Sequence, residues 1–528
     1  MNLLKISTTA TTVLITSLMI SMISEASDYY ISQNTIGSNT GIDCSNAHPV
    51  TWFNTFGNWG NGAGQIKPGD TLHLCGTIST ALTVQASGLD GSITTIKFEP
   101  GTKMIAPYWS LNDGFSPTSG AITIKNKNFI TIDGGTDCGP LNKLTCNGTI
   151  TSTDNGTTLA NKKQNVGVFI ENSANIEIKN IAVNNMYLRT GTTNSDQVAA
   201  QGSADVWAWG TNTNISIHGC SLSDAHAGAY VSFDGGNLTN LNIYNNYIAH
   251  AGWHIAVAAG NANRVATGVN IYGNEITNWN DWADSNATYH TDGIIMYSNG
   301  PGGSLNANVY SNYFHGDLGG GTGPNAVSTF ICYGGNSIGY IYNNIMKNDG
   351  ASIYVGHIFI GGWVRPQNGI AIYNNTIVGK SGDSGIYTGG PSGQTDPNIT
   401  IKNNIIQGCA SAIVLGSNSW YPITSDYNVF FNNTRIATNN NAAGPPNYIS
   451  MSAWQASPYS QDTNSSTATP NLSPTFQIKK ESSAIGTGIN LSNLGITTLN
   501  SDIYNSTRST SLPWDKGARA FIPSPHMR

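Results

Sequence analysis

A short phrase returns along the middle of the chain: NISIHGC (214–220), NLNIYNN (240–246), GVNIYGN (268–274), NANVYSN (306–312), GYIYNN (339–344), GIAIYNN (369–375) and NITIKNN (398–404). Its central aliphatic falls at Ile217, Ile243, Ile271, Val309, Ile341, Ile372 and Ile401, in steps of 26, 28, 38, 32, 31 and 29 residues. Self-similarity at a nearly constant spacing marks a stack of repeats, each too small to bury its own apolar face. Every phrase alternates apolar and polar residues and then breaks at Asn or Gly. Period 2 is the strand period, and Asn and Gly accept the left-handed bend that ends a strand. A second series of strand-like runs lies between the phrases: DVWAWG, GAYVSF, HIAVAAG, DGIIMY, TFICYGG, HIFIGG, GIYTGG and AIVLGS. Two or three short strands per repeat, with no helical period, predict an all-β chain wound as a right-handed parallel β-helix solenoid.

Composition agrees. A compact chain of 528 residues should split into several domains, but a solenoid grows in one dimension because each coil touches only its neighbours. Charged residues make up only 10% and there are 60 glycines, which suits stacked strands and tight turns. The formal charge of −6 gives no support for a nucleic acid or an anionic membrane as partner. An acidic polysaccharide stays compatible, because a local basic cluster can bind one.

Residues 1–26 read as a signal peptide. Lys5 is the positive n-region, Val13–Ile23 is mostly apolar, and Ser24-Glu25-Ala26 puts small residues at the cleavage-determining positions. The apolar run is too short to span a bilayer, so a secreted, extracellular protein is expected, with no membrane span. Seven cysteines in an exported chain permit disulfides and leave at least one thiol over. Cys138 and Cys146 share a local loop and are the first expected pair, Cys44 and Cys75 the second. Cys220, Cys332 and Cys409 sit inside repeat phrases and are expected to be small buried apolar residues.

The remaining segments divide as an N-terminal strand and capping segment (27–65), the parallel β-helix (66–440) and a C-terminal loop with closing coil and tail (441–528). DYYIS (28–32) is a strand; Thr51–Trp59 is expected to be a short N-terminal capping helix with Trp52, Phe53 and Phe56 on one side, covering strand edges that would otherwise be open. The stretch 445–469 lacks periodicity and reads as an irregular C-terminal cap.

PGDTLHLCGT, ITTIKFEPGT and FITIDGG resemble the opening coils of pectate-lyase-like, right-handed β-helix proteins. SDYNVFF (425–431), AWQASPYSQDTNS (453–465), SSAIGTG (482–488) and PWDKGARAF (513–521) resemble the closing coil and tail of many secreted members. Gly486 replaces the usual acidic residue, and the Ile-Gly-Ala-Tyr ending is absent. The resemblance implies the fold and a carbohydrate-active function without fixing the reaction, since this fold hosts lyases, hydrolases, epimerases and inert spikes. The paired Asp and Gly-His-Gly phrase of polygalacturonases is missing, as is the Asp-Pro-His of alginate epimerases. Lys and Arg are scarce in the central coils, leaving Arg189, Arg264 and Arg365 for a lyase-like basic role.

Two coils are swollen, by residues 186–205 and 277–290, and a third irregularity follows at 315–326; long loops on one face of a solenoid are where function is carried. If Val206, Ala229, Ile255, Ile294, Phe330 and Ile358 point inward, then Asp205, Gly228, His254, Gly293, Thr329 and His357 face out. Trp207, Tyr230, Ala256, Ile295, Ile331 and Phe359 form the next outward column, and Trp209, Tyr297 and Tyr333 lie beyond. Rungs sit ~4.8 Å apart, so aromatic columns make a stripe on which a sugar ring could stack. The candidate sugar-binding residues are therefore Trp207, Trp209, Tyr230, Tyr297, Tyr333, Trp282, Arg189 and Asp205. The candidate catalytic residues are Asp281, Asp284, His290 and Asp292, gathered within NDWADSNATYHTDGI (280–294), with His254 one coil earlier. Carboxylate pairs serve glycoside hydrolysis, and a His or Tyr can abstract a ring proton in β-elimination. Asp at a Gly-containing turn can equally cap backbone N–H groups. Ca2+ is chemically compatible with the loop acids, although no Asp-rich binding repeat is visible, and no other cofactor is expected. The expectation is a monomeric polysaccharide lyase or glycoside hydrolase acting on a polysaccharide or oligosaccharide; the alternative is a non-catalytic glycan-binding or adhesive β-helix.

Overall fold

The computed structural model describes residues 26–109, 117–140, 146–153, 165–186, 203–260, 263–278, 291–317, 328–350, 355–361, 369–389, 398–416, 423–440 and 447–523. The repeat phrases form one 14-stranded sheet, in which each strand pairs in parallel with its counterpart in the next coil. Ile217, Ile243, Ile271, Val309, Ile341, Ile372 and Ile401 stand in one unbroken register. All seven are fully buried. Crossovers between parallel strands of one sheet wind right-handed, so the chain is a right-handed parallel β-helix.

A 23-stranded sheet forms the rest of the wall. It is two columns fused at a corner, because Ser221–Ser232 and Tyr247–Ala259 run around the bend without a break. In neighbouring coils the same path is split, for example into Ile181–Asn184 and Ala204–Trp209.

The two residues closing each phrase, Asn-Asn in four of the seven, have a divided task. The first residue takes a left-handed bend, with φ of 52° at Asn245, 55° at Asn343, 50° at Asn374 and 59° at Asn403. The second turns inward and is fully buried: Asn246, Asn274, Asn312, Asn344, Asn375, Asn404 and Asn428. Each from Asn274 onward accepts, on its amide oxygen, both the backbone N–H and the side-chain N–H of the asparagine one coil earlier, at 2.9–3.1 Å, while Asn246 accepts the backbone N–H of Cys220 at 3.0 Å. The ladder ends on Asp462, which accepts from Asn428 Nδ2 at 2.9 Å and from Trp454 Nε1 at 2.8 Å. A buried amide has two donors and one acceptor oxygen to satisfy, and stacking identical amides satisfies them rung by rung.

The N-terminal cap is shorter than expected: an α-helix at Val50–Phe53 and a 3-10 turn at Phe56–Asn58. Phe53 is buried and Trp52 packs against the core, but Phe56 points to solvent at 71% exposure. Trp59 takes its place, buried, with its indole N–H on the Phe53 carbonyl at 2.7 Å. A four-residue helix is too short for Phe56 to share its face. Both expected disulfides form, Cys44–Cys75 and Cys138–Cys146, and the other three cysteines are buried free thiols.

At the far end a strand at Asn447–Ile449 pairs antiparallel with Arg435–Asn439, and Trp454 buries itself against the last coil. The tail then does more than cap. It runs back along the outside of the coils, packing Leu491, Leu499 and Trp514 on Tyr342 and Tyr373. The buried Arg508 fastens it by hydrogen bonds to Asn343 Oδ1 at 3.2 Å and the Gly517 carbonyl at 2.9 Å.

Candidate functional site

The outer face of the fused sheet, near its corner, collects the chemically interesting residues. Pairing across the coils places Trp253, Asp292 and Thr329 side by side, with Ala227 on one flank and Gly356 on the other. Three residues further along, Phe169, Trp207, Tyr230, Ala256, Ile295, Cys332 and Phe359 form the second outward column. Trp209 and Tyr297 stand in the third. These side chains make an aromatic cluster separate from the main core. Trp207 and Tyr230 lie 4.6 Å apart between ring centres, Tyr230 meets Trp253 edge-on at 6.1 Å, and His226 lies 4.9 Å from Trp253. Thr329 donates its hydroxyl to Asp292 Oδ1 at 2.8 Å. The cluster is enclosed: Trp207 and Asp292 are each about 1% exposed, while Trp209, Trp253, Tyr297 and Phe359 are only partly buried.

Five of the residues expected to face outward do not: Asp205, His254, Ile331, Tyr333 and His357. Asp205 and His254 occupy the bend, where backbone turning breaks the alternation and sends consecutive side chains inward. His254 is fully buried, its ring against the carbonyls of Thr277 at 3.1 Å and Asp292 at 3.5 Å. Burial brings its pKa down to about 4, so the ring is neutral near pH 7 and lies behind the strand that carries Asp292. Asp205 is fully buried, and neither carboxylate oxygen has a hydrogen-bond partner among the described residues. Burial, and then the charge of Asp224, push its pKa well up, which keeps it protonated. Tyr333 is displaced by a one-residue slip: Ile331, not Phe330, pairs with Ile294 and Ile358. Cys332 therefore takes the outward place, and Tyr333 sinks into the core with its hydroxyl on the Ala307 carbonyl at 2.8 Å. Phe330 fills the corner against Phe314, at 5.5 Å.

Arg189, Asp281, Trp282, Asp284 and His290 lie outside the described residues. In the two coils before Asp292, Asp224 faces His250 at 3.5 Å, an interaction that raises the histidine pKa.

Trp253 and Thr329 were missing from the sequence-based set of sugar-binding and catalytic residues. The readable signal was position: each stands two places before a core aliphatic, where Ala204, Ala227, Asp292 and Gly356 also stand. A second cluster, Cys409 with His357 and Asp383, resembles a nucleophile set but is wholly inside the coil, with His357 Nε2 3.8 Å from Asp383. Burial pushes the Cys409 thiol well up, which leaves it inert. Among the described residues no group of three or more His, Cys, Asp or Glu converges as a metal site, and no helix is long and apolar enough to cross a membrane.

No protein-family model matches the sequence, and comparison with characterised proteins returned no match. Among solved structures the chain is similar to pectate lyase Pel9A (13% identity, 95% of this chain and 98% of that one, TM-score 0.43) and to XylC in complex with xylose (10%, 94% and 98%, 0.44). It also resembles the GH136 lacto-N-biosidase from Eubacterium ramulus (11%, 84% and 67%, 0.43). Such similarities carry nothing about reaction or substrate. Strand order and register make this chain a parallel β-helix protein.

Proposed function

We propose that this is an extracellular enzyme that cleaves a neutral polysaccharide at the corner bordered by Trp253, Asp292 and Thr329. One observation carries the reading: a carboxylate held by a threonine hydroxyl at 2.8 Å and paired with Trp253, at the end of an aromatic stripe that runs on through Tyr230 to Trp207. Aromatic walls suit pyranose faces, and a carboxylate shut off from water suits acid–base work on a glycosidic bond. Between Ser203 and Met346 the one Lys or Arg is Arg264, which is exposed at the start of the opposite sheet. The described residues of these coils thus offer a uronate polymer no Lys or Arg at the corner, which favours hydrolysis of a neutral chain over β-elimination; Arg189 lies outside the described residues. Asp205 cannot be the second carboxylate: it stands three rungs from Asp292, roughly 14 Å at ~4.8 Å per rung, beyond the spacing of hydrolase pairs. Asp281 and Asp284 are the candidates for that role.

The test is turnover on neutral and acidic polysaccharides, followed by new reducing ends and by absorbance of unsaturated products. Hydrolysis of a neutral polymer is expected, with Asp292→Asn lowering kcat by about 10²–10⁴ at an unchanged melting temperature. Unsaturated products from a uronate polymer, or full activity in Asp292→Asn, would reject the proposal. Binding without turnover, lost in Trp253→Ala, would assign the face to glycan capture instead.

A further inference from the structure

On the other side of the molecule the 14-stranded sheet carries a ladder of aromatic rings along its outer edge. His218, Tyr244, Tyr272, Tyr310 and Tyr342 stack face to face, with ring centres 4.5–4.9 Å apart and planes within 10°. Stacked this way, the inner rings have both faces covered and present only edges and hydroxyls. Beside this ladder runs the column of left-handed residues that begin each turn. At Asn343, Asn374 and Asn403 these side chains reach out and hold the C-terminal tail, donating to the carbonyls of Ser501 at 2.7 Å, Asp515 at 3.0 Å and Ile489 at 2.8 Å. At the two rungs before Asn343 the column changes to Gly273 (φ 64°) and Ser311 (φ 54°). The backbone bend is the same, but the amide that would meet the tail is gone.

A cleft of about 560 Å³ opens there. Its floor is Asn245, Tyr272, Gly273, Tyr310 and Ser311, and its C-terminal wall is the tail between Thr497 and Asn505. The disulfide-bonded loop abuts its other end, since a Cβ on Gly139 would lie 2.2 Å from the Asn245 carbonyl oxygen. The volume is that of a small-molecule site. The lining has no Lys or Arg, and its one carboxylate, Asp502, is fully occupied. Asp502 Oδ1 accepts from the N–H groups of Tyr504 and Ser506 at 2.9 and 2.8 Å, and Oδ2 from that of Ala520 at 3.0 Å. The groups left to a ligand are hydroxyls and amides. Burial raises the pKa of Tyr272 and pushes that of Tyr310 up to about 12, so both phenols stay protonated donors.

We propose that this cleft binds one end of a neutral oligosaccharide, recognised through the hydroxyls of Tyr272, Tyr310 and Ser311 and the amides of Asn245 and Asn505, at a site separate from the Asp292 corner. Hydroxyl-rich ligands match a lining that offers many neutral donors and acceptors and no net cation. An anionic sugar would meet Asp502 with no Lys or Arg in the lining to bind it. The site does not depend on the reading of the outer face.

Ser311→Asn decides it. Asn adopts the same left-handed conformation and is the residue already found at the next three rungs, so the backbone is preserved while the amide fills the floor. Binding is measured by titration calorimetry with gluco-, xylo-, manno- and galacto-configured oligosaccharides, in an Asp292→Asn background so that ligand is not consumed. At least one sugar is expected to bind, with affinity falling ten-fold or more in Ser311→Asn and several-fold in Tyr272→Phe, which keeps the ring stack. Equal binding with and without Ser311→Asn, or no binding by any of the four sugars, overturns the proposal. Absence of turnover on every polymer would count against the Asp292 corner alone.

Discussion

Replacing Asn312 by alanine probes what pins one coil to the next. Its side chain accepts from Asn274 N and Nδ2 at 3.0 and 2.9 Å, and donates to the carbonyls of Ile271 and Tyr310 and to Asn344 Oδ1 at 3.0–3.1 Å. Two protons serve three acceptors, so one is shared. Taking ~1 kcal/mol net for each bond, the loss is about 4 kcal/mol, with more from the Asn274 N–H, which is left buried and unpaired. Asn308 is the internal control. It lies in the preceding strand, Ser304–Tyr310, on the outer face, half-buried, donating to Asn270 Oδ1 at 3.1 Å. Its replacement by alanine should cost about 1 kcal/mol or less. Equilibrium unfolding in guanidinium, followed by far-UV circular dichroism, measures both. Asn312→Asp adds a sign test. A buried carboxylate cannot donate to the Ile271 carbonyl and its charged form is disfavoured, so its folded pKa is raised. The variant should therefore be least destabilised in acid and lose stability as pH rises through that pKa. If Asn312→Ala and Asn308→Ala cost the same, the amide ladder is ornament and packing of the isoleucine column alone sets the rungs.

Three further outcomes follow. For His254 the folded pKa is depressed to about 4 from an ordinary 6.5, so its contribution is present above pH 6.5 and lost as pH falls toward 4; the loss is about 3 kcal/mol. A pH series of unfolding curves should show that slope vanish in His254→Asn, and an unchanged slope would refute the burial reading. Replacing Cys44 and Cys75 by serine opens a loop of 31 residues and should lower stability by roughly 3–4 kcal/mol, checked by thermal unfolding against the parent. Cys220, Cys332 and Cys409 are at most 2% exposed, and burial raises all three thiols, Cys220 to about 12. None should react with a thiol reagent in native protein, whereas three should react after unfolding without reductant; fast labelling of the folded chain would contradict their placement.

What the chain alone determined is the winding. A period-2 phrase repeated at 26–38 residues has one economical packing, so the isoleucine column from Ile217 to Ile401 could be aligned in register before any coordinates. The outward placing of Trp207, Tyr230, Trp209 and Tyr297 followed from the same alternation. Tertiary structure decided the rest, because alternation holds only while a strand stays straight. At the corner the backbone turns, so Asp205 and His254 swing inside and Trp253 swings out. In the Ser328–Gly335 strand the register is set by pairing with Ile294 and Ile358, which puts Cys332 where Ile331 was expected and buries Tyr333. The Asn or Gly pair closing each phrase read as a bend, and its first residue is one; the asparagine that follows belongs to a buried ladder that exists only once coils are stacked. The tail's course beside the tyrosines was likewise invisible, since Asn343, Asn374 and Asn403 bind it through contacts more than 80 residues away along the chain. Local periodicity fixes which way a straight strand faces, whereas the direction of a side chain at a bend depends on neighbours that the sequence brings together only in the folded coil.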